Sequence, residues 1–283
     1  ENYKKVTGTQ PTGSDFVWTI KDDGKLQKIS STINAGSGAW KKLLDAVREF
    51  PEGSTITVNG TITATNDYGN DNRGVIDITK NITIQGQNGA NSDMLNANRS
   101  VLGADAHRIF NVANGKTLTL KNLTLKNGKV TATDDQGRGG AIYAKGATVN
   151  ITNCTFTGNQ AARDGGAVYA NKDGSIVSKV TISGGSISSN TVIMEWACGG
   201  GIFVAEGSTL TLDEYTDGSG TKHGVQITGN KAGRAGGVRA NDSTVTMTGC
   251  TITDNQATGD AGGGGVYITG SKLDMTSCTL TGN

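Results

Sequence analysis

The sequence predicts an all-β fold, a right-handed parallel β-helix (a solenoid), because two short blocks alternate along its second half. The first block, Gly-Gly-Ala-Ile-Tyr-Ala at residues 139–144, recurs at 165–170, 199–204, 235–240 and 263–268. The second block runs from Val149 to Asn159 and recurs at 180–190, 245–255 and 273–283, with one further copy split by an insertion into 210–212 and 225–230. Apolar and polar residues alternate in these blocks, which is typical of strands with one buried face.

The direction of the repeat favours a solenoid over antiparallel hairpins. The position of Ile142 returns every 26–36 residues, in the same order, at Val168, Ile202, Val238 and Val266. Identical coils stacked in parallel bury each copy of a position on the previous one. The composition agrees, since 43 glycines but only 2 prolines among 283 residues indicate many short strands and tight turns.

Stacked columns account for the cysteines and for a series of asparagines. Cys154, Cys250 and Cys278 occupy a position that Leu123 and Val225 fill in other coils, so we interpret them as small buried side chains. Free thiols are favoured there, with a disulfide between Cys250 and Cys278 as the open alternative. Asparagines close the second block and predict a structural ladder whose members tolerate left-handed turn geometry: Asn159, Asn190, Asn230, Asn255 and Asn283.

The chain divides into an N-terminal segment, residues 1–53, and a β-helix, residues 54–283. Trp40, Leu43 and Val47 share one face of a predicted helix at about 39–50, and this helix would cap the open end of the solenoid. The other end shows no such cap, because the last block stops at Asn283. We therefore expect the β-helix to continue beyond 283, or a further domain or partner to cover this edge.

Charge and residue spacing argue against several classes of function. The net charge of +1 gives no electrostatic preference for nucleic acid, and no apolar stretch predicts a transmembrane segment. The cysteines lack CxxC spacing, and the loop acids at 134–135 and 213–217 lack the spacing of a metal loop, so neither metal nor cofactor is predicted. His107 and His223 each stand alone, and no catalytic residue is assigned.

Two groups of outward residues are the candidate ligand-binding site. Tyr143, Tyr169 and Phe203 follow the inward position in three consecutive coils and could stack on a sugar or a partner; the alternative is a cross-coil ladder that stiffens the sheet or lies under a loop. Arg138 and Asp164 would be neighbours across coils, with Asp135 and Arg163 near, and are assigned as ligand-binding groups; the alternatives are the carboxylate and Arg of a polysaccharide-cleaving site, or a surface ion pair. The longer loops are expected to cluster on the binding face: 66–73, 131–137, 192–198 and 213–224.

The pairing of GGA[ILV] with FxxN resembles the repeats of bacterial polymorphic outer-membrane proteins. The pairs are residues 139–142 with 156–159, 165–168 with 187–190, and 199–202 with 227–230. The resemblance implies a non-enzymatic passenger or adhesin that is extracellular or on the bacterial cell surface or outer membrane, and that binds host protein, cells or glycans. The N-terminal coils resemble the broader pectate-lyase-like group, which implies the alternative of a polysaccharide lyase or glycoside hydrolase.

Overall fold

The computed structural model describes residues 15–20, 24–67, 72–259 and 262–283 as a parallel β-solenoid. The predicted N-terminal segment therefore lies partly outside the described residues, at 1–14 and 21–23, as does part of the loop at 66–73. Four parallel sheets follow one another around each complete coil. The prediction of an all-β parallel solenoid is confirmed.

The sheets are numbered in the order in which the chain passes through them. Sheet 1 has nine strands: β3 (Thr32–Asn34), β4 (Thr55–Asn59), β7 (Ile82–Gly86), β10 (Thr117–Lys121), β14 (Thr148–Thr152), β18 (Lys179–Ser183), β22 (Thr209–Asp213), β28 (Thr244–Thr248) and β32 (Lys272–Thr276). Sheet 2 has eight strands: β5 (Thr61–Thr63), β8 (Met94–Asn96), β11 (Thr124–Lys126), β15 (Thr155–Thr157), β19 (Ser186–Ser188), β25 (Gln226–Thr228), β29 (Thr251–Thr253) and β33 (Thr279–Thr281).

The remaining two sheets complete the coil. Sheet 3 has five two-residue strands: β12 (Lys129–Val130), β16 (Gln160–Ala161), β20 (Thr191–Val192), β26 (Lys231–Ala232) and β30 (Gln256–Ala257). Sheet 4 has seven strands: β6 (Ile76–Ile78), β9 (Phe110–Val112), β13 (Ile142–Lys145), β17 (Val168–Asn171), β21 (Ile202–Ala205), β27 (Val238–Asn241) and β31 (Val266–Thr269).

Few described residues lie outside these sheets in regular structure. Two antiparallel pairs join β1 (Phe16–Ile20) to β2 (Leu26–Ser30) and β23 (Tyr215–Thr216) to β24 (Lys222–His223). The helical elements are α1 (Ala39–Glu49), α2 (Arg99–Leu102) and two 3₁₀ turns, Gly103–Asp105 and Asp135–Gly137. None of the described helices has the length and apolar character needed to cross a membrane.

Parallel register produces the inward columns that the sequence predicts. Val149 pairs with Val180, which pairs with Leu210 in the next coil, and all three are at most 1% exposed. Each such side chain contributes about 1.5–3 kcal/mol by leaving water. The stacked columns form one continuous core along the axis, so each coil is stabilised by its neighbours.

The asparagine ladder forms as a chain of buried hydrogen bonds. The side-chain amide of Asn190 donates to the Phe156 carbonyl at 3.0 Å and to the Asn230 side-chain oxygen at 2.9 Å. Its own side-chain oxygen accepts from the backbone N–H of Asn159 at 2.9 Å. The left-handed backbone lies one residue before each asparagine, as at Ser189 with φ 56°, which corrects our assignment of that geometry to the asparagines.

Helix α1 covers the N-terminal end of the core. Trp40 and Leu43 are fully buried, and the indole N–H of Trp40 donates to the Gly74 carbonyl at 2.9 Å. The His107 ring lies 5.4 Å from the Trp40 ring. The predicted capping helix is confirmed, ending at Glu49. Strand β3 precedes it, and therefore precedes residue 54, where the sequence pattern places the start of the β-helix.

The last coil leaves apolar side chains partly exposed. Strands β30, β31, β32 and β33 are each the outermost strand of their sheet. Leu280 is 46% exposed, and Leu273, Met275 and Cys278 pack on the core without being fully buried. All four cysteines are free, and burial raises the pKa of the Cys154 and Cys250 thiols to about 12.

Replacing a ladder asparagine should destabilise the solenoid. Asn190→Ala removes the partners of the Asn159 N–H and the Phe156 carbonyl, and unpaired buried groups cost about 1–3 kcal/mol each. We expect a loss of at least about 2 kcal/mol from chemical unfolding curves. The control Asn150→Ala, outward-facing on β14, should stay within about 0.5 kcal/mol. Equal unfolding midpoints for the two variants would show that the asparagine ladder does not stabilise the fold.

His107 should make the capped end sensitive to acid. Burial lowers the pKa of His107 below its ordinary value of 6.5, so the unfolded chain binds the proton more readily than the folded one. Stability should be complete above about pH 6.5 and should fall as the pH drops below it. In His107→Gln the melting temperature should fall less between pH 7 and pH 5 than it does in the parent. His223→Gln, which changes a half-exposed histidine, is the control and should keep the full acid-induced loss of stability. Identical dependence of the melting temperature on pH in the two variants would rule out His107 as the cause.

Candidate functional site

The outer face of sheet 4 carries the predicted aromatic column. Parallel register places Tyr143 against Tyr169 and Tyr169 against Phe203. The ring centres are 5.3 and 5.5 Å apart, and the planes are inclined by 17° and 13°. The outward position after each buried Ile or Val therefore forms one continuous stack, as the spacing predicts.

Arginine side chains from neighbouring coils cover this stack. The guanidinium of Arg108 lies 4.7 Å from the Tyr143 ring centre, and that of Arg138 lies 5.1 Å from the Tyr169 ring centre. Tyr143 is 8% exposed and Tyr169 only 2%. Burial raises the pKa of Tyr169 to about 12 and lowers that of Arg108 to about 10. Neither tyrosine presents a free ring face, which favours the interpretation as a cross-coil ladder.

Arg239 occupies the next position of this stack, where the sequence has an arginine in place of an aromatic residue. It pairs in register with Phe203 on one side and Tyr267 on the other, and its guanidinium lies 4.3 Å from the Tyr267 ring centre. A flat cation can replace an aromatic ring in such a column. The sequence did not reveal this, because a lone Arg among aromatics looks like a break.

Arg138 and Asp164 meet across adjacent coils, as predicted. The Arg138 Nε donates to Asp164 Oδ2 at 3.0 Å, and Arg138 also contacts Asp135. The other Asp164 oxygen accepts from the backbone N–H of Cys198 at 3.0 Å. Both carboxylate oxygens of Asp164 are thus engaged, and the residue is 7% exposed. This contact shows that Cys198, which lies outside the column of the other three cysteines, belongs to the column of Asp164 in the next coil.

The most exposed large apolar groups near this face lie in one loop. The Trp196 loop, residues 193–198, connects sheet 3 to sheet 4, and Ile193 and Trp196 are each 51% exposed. The guanidinium of Arg163, from the preceding coil, lies 4.9 Å from the Trp196 ring centre. The sequence marked this segment as a long loop but gave no reason to single out Trp196 or Arg163.

The comparison with protein families matches residues 107–283 to the right-handed β-helix region. This chain belongs to the right-handed β-helix family. The match confirms the handedness that the sequence predicts, and it specifies a fold rather than a reaction. Neither a curated protein nor a solved structure matches the sequence.

Two of the longer loops share one side of this β-helix, since those at 131–137 and 192–198 both lead from sheet 3 to sheet 4. The segment at 213–224 forms the β23–β24 hairpin between sheets 1 and 2, whereas the Trp196 loop connects sheets 3 and 4. In the hairpin, His223 Nε2 lies 2.8 Å from Asp217 Oδ2, and Asp217 also accepts hydrogen bonds from its own turn. These contacts lower the pKa of Asp217. The expectation that the longer loops share one face therefore fails for the segment at 213–224, and ligand binding by the face that the other loops share stays a prediction.

The acids of these loops are dispersed. Among the described residues, no group of three or more His, Cys, Asp or Glu side chains is placed to hold a metal ion. Ligand binding by Tyr143, Tyr169, Phe203, Arg138 and Asp164 stays a prediction. Their burial and mutual contacts direct attention to the more exposed Trp196 loop beside them.

Asp164→Asn should weaken the fold of this face. The substitution removes one of the two carboxylates that compensate Arg138, and loss of a partner to a largely buried charge costs about 1–3 kcal/mol. We expect a correspondingly lower unfolding midpoint. The control Glu206→Gln breaks an exposed pair with Lys172, whose charged atoms are 3.7 Å apart, and should change stability by less than about 0.5 kcal/mol. If both variants unfold like the parent, Asp164 has no structural role.

Proposed function

We propose that this right-handed β-helix is a non-enzymatic binding module of a secreted or cell-surface protein, an adhesin or passenger that binds host matrix, cells or glycans. The observation that carries the proposal is the contrast between two aromatic groups. The rings of the Tyr143–Phe203 stack pack against one another, whereas Trp196 is half exposed on a loop that departs from the repeat. Exposed Trp on a rigid scaffold is a frequent anchor in binding surfaces.

The arrangement of the carboxylates supports a non-enzymatic role. Hydrolysis of glycosides generally requires two carboxyl groups facing one bond across about 5–10 Å of open space. Asp164 is buried, pairs with Arg138 and accepts from Cys198. Asp135 is more exposed but contacts the same guanidinium. These carboxylates satisfy neighbouring groups within the β-helix.

The repeat motifs support the proposed location. The GGA[ILV] and FxxN blocks resemble those of bacterial polymorphic outer-membrane proteins, whose members are displayed outside the cell. Threonine and serine dominate the outward positions of sheet 2, as in Thr155–Thr157 and Ser186–Ser188. Such a neutral, hydroxyl-rich exterior suits an exposed scaffold.

A polysaccharide lyase or glycoside hydrolase is the second candidate. It is favoured by the gathering of Arg138, Asp135 and Asp164 on one outer face. Incubation with acidic and neutral polysaccharides distinguishes the two functions. Turnover by the parent chain that is abolished in Asp164→Asn, with the variant still folded by circular dichroism, would contradict the adhesin proposal.

Trp196→Ala should reduce binding without affecting the fold. We expect at least about a tenfold loss of affinity, or about 1.4 kcal/mol, for immobilised matrix preparations, cells or arrayed glycans. Trp18→Ala is a matched control, because Trp18 is also 51% exposed but lies on the β1–β2 hairpin; it should bind like the parent. Equal binding by both variants and the parent would contradict the assignment of the Trp196 loop.

A further inference from the structure

Four arginines stack on aromatic rings along this side of the solenoid, and one of them differs from the rest. Arg108 donates to the Gln136 carbonyl, Arg138 pairs with Asp164, and Arg239 donates to Thr269 Oγ1 at 2.7 Å. Arg163 stacks on Trp196, yet its side chain makes no hydrogen bond or ion pair within the described part of the chain. The other three guanidinium groups complete internal contacts, so Arg163 needs another explanation.

The three guanidinium nitrogens of Arg163 differ in burial. Its Nε is buried and has no hydrogen-bond partner. The two terminal nitrogens are not buried in this way, so they reach solvent at the edge of the Trp196 ring. A guanidinium carries five N–H donors in a rigid planar fork that matches a carboxylate. Stacking on the indole holds this fork in one plane, which reduces the entropy lost when an anion binds.

The surrounding charge favours an anion. Arg234 lies in the next coil beneath the Trp196 loop, where its backbone N–H donates to the Ala197 carbonyl at 3.0 Å. Its side chain is exposed and makes no ion pair among the described residues. Glu195 is the acidic residue of the loop, and no ion pair joins it to either arginine in that part of the chain. The Trp196 loop thus contacts two cationic residues, Arg163 of the preceding coil through its guanidinium and Arg234 of the next coil through its backbone, and carries one acid, Glu195.

The neighbouring indole defines the other half of the ligand. Half of the Trp196 surface is open to solvent, and the apolar face of a sugar ring packs well against an indole. A carboxylate on that ring would receive charge-assisted hydrogen bonds from the terminal nitrogens of Arg163. One ligand satisfies both groups: a pyranose ring bearing a carboxylate.

We propose that Arg163 and Trp196 form a binding subsite for an acidic pyranose within a glycan. The carboxylate contacts the guanidinium and the ring packs on the indole. This inference rests on the proposed binding function and specifies its ligand class. A hexuronic acid within a chain and a terminal sialic acid share this chemistry.

Titration of the full chain with hyaluronan hexasaccharide and, separately, with sialyllactose tests the subsite and distinguishes the two sources. Calorimetry should detect binding to at least one of them. The carboxyl-reduced form of the ligand that binds should be at least about tenfold weaker, because it keeps the ring and loses the anion. Equal affinity for the acidic and reduced forms would overturn the proposal, as would inorganic sulfate competing as effectively as the saccharide.

Substitutions locate the contact. Arg163→Gln should weaken binding at least about tenfold, and Arg163→Lys should give an intermediate loss, because lysine keeps the charge without the planar fork. Arg99→Gln, a partly buried arginine on α2, is the matched control and should leave affinity unchanged. Unchanged unfolding midpoints verify that each variant is folded. Parent-like affinity in folded Arg163→Gln would overturn the proposal.

The two proposals fail in different ways. If neither acidic saccharide binds while Trp196→Ala still abolishes attachment to cells or matrix, the acidic-sugar inference is wrong and the adhesin function stands. If the parent chain binds no saccharide, matrix or cell, both are wrong.

Discussion

In-register stacking of parallel strands is the constraint on which this structure depends. Neighbouring coils lie about 4.8 Å apart, so each position meets the same position of the coil before and after it. An inward Val or Ile then packs on another apolar residue, as Val149 does on Val180. An inward polar residue must find its partner in the same column. The asparagine ladder does so by linking Asn159, Asn190 and Asn230 through their side chains.

The same constraint shapes the exterior. Like charges repeated in a column would repel one another across a few ångströms. On sheet 4 the outward column holds tyrosines and Phe203, with Arg239 taking one place in the stack. In the adjoining column Asp164 follows Arg138, so that the carboxylate of one coil neutralises the guanidinium of the previous one. These contacts stabilise the junction between loops and sheet.

Some residues depart from the regular columns. The connection that contains the Trp196 loop, residues 193–201 between β20 and β21, is longer than the equivalent connections at 162–167 and 233–237, so Trp196 has no equivalent in the coils before and after it. Its indole packs against a single guanidinium, that of Arg163, instead of a stack. A rigid solenoid is a suitable support for an irregular loop of this kind, because the scaffold itself loses little entropy if a ligand binds there.

The sequence alone determined the repeating part of this protein. Period-two alternation and the recurrence of two blocks predicted the inward columns, the asparagine ladder, the capping helix and the meeting of Arg138 with Asp164. These features follow from the local alternation of apolar and polar residues and from the in-register pairing of successive coils. Tertiary structure alone decided how exposed Tyr143 and Tyr169 are, because the covering arginines come from neighbouring coils through loops of unequal length. It also decided that Arg163 meets Trp196, since no periodic pattern sets the path of an irregular loop.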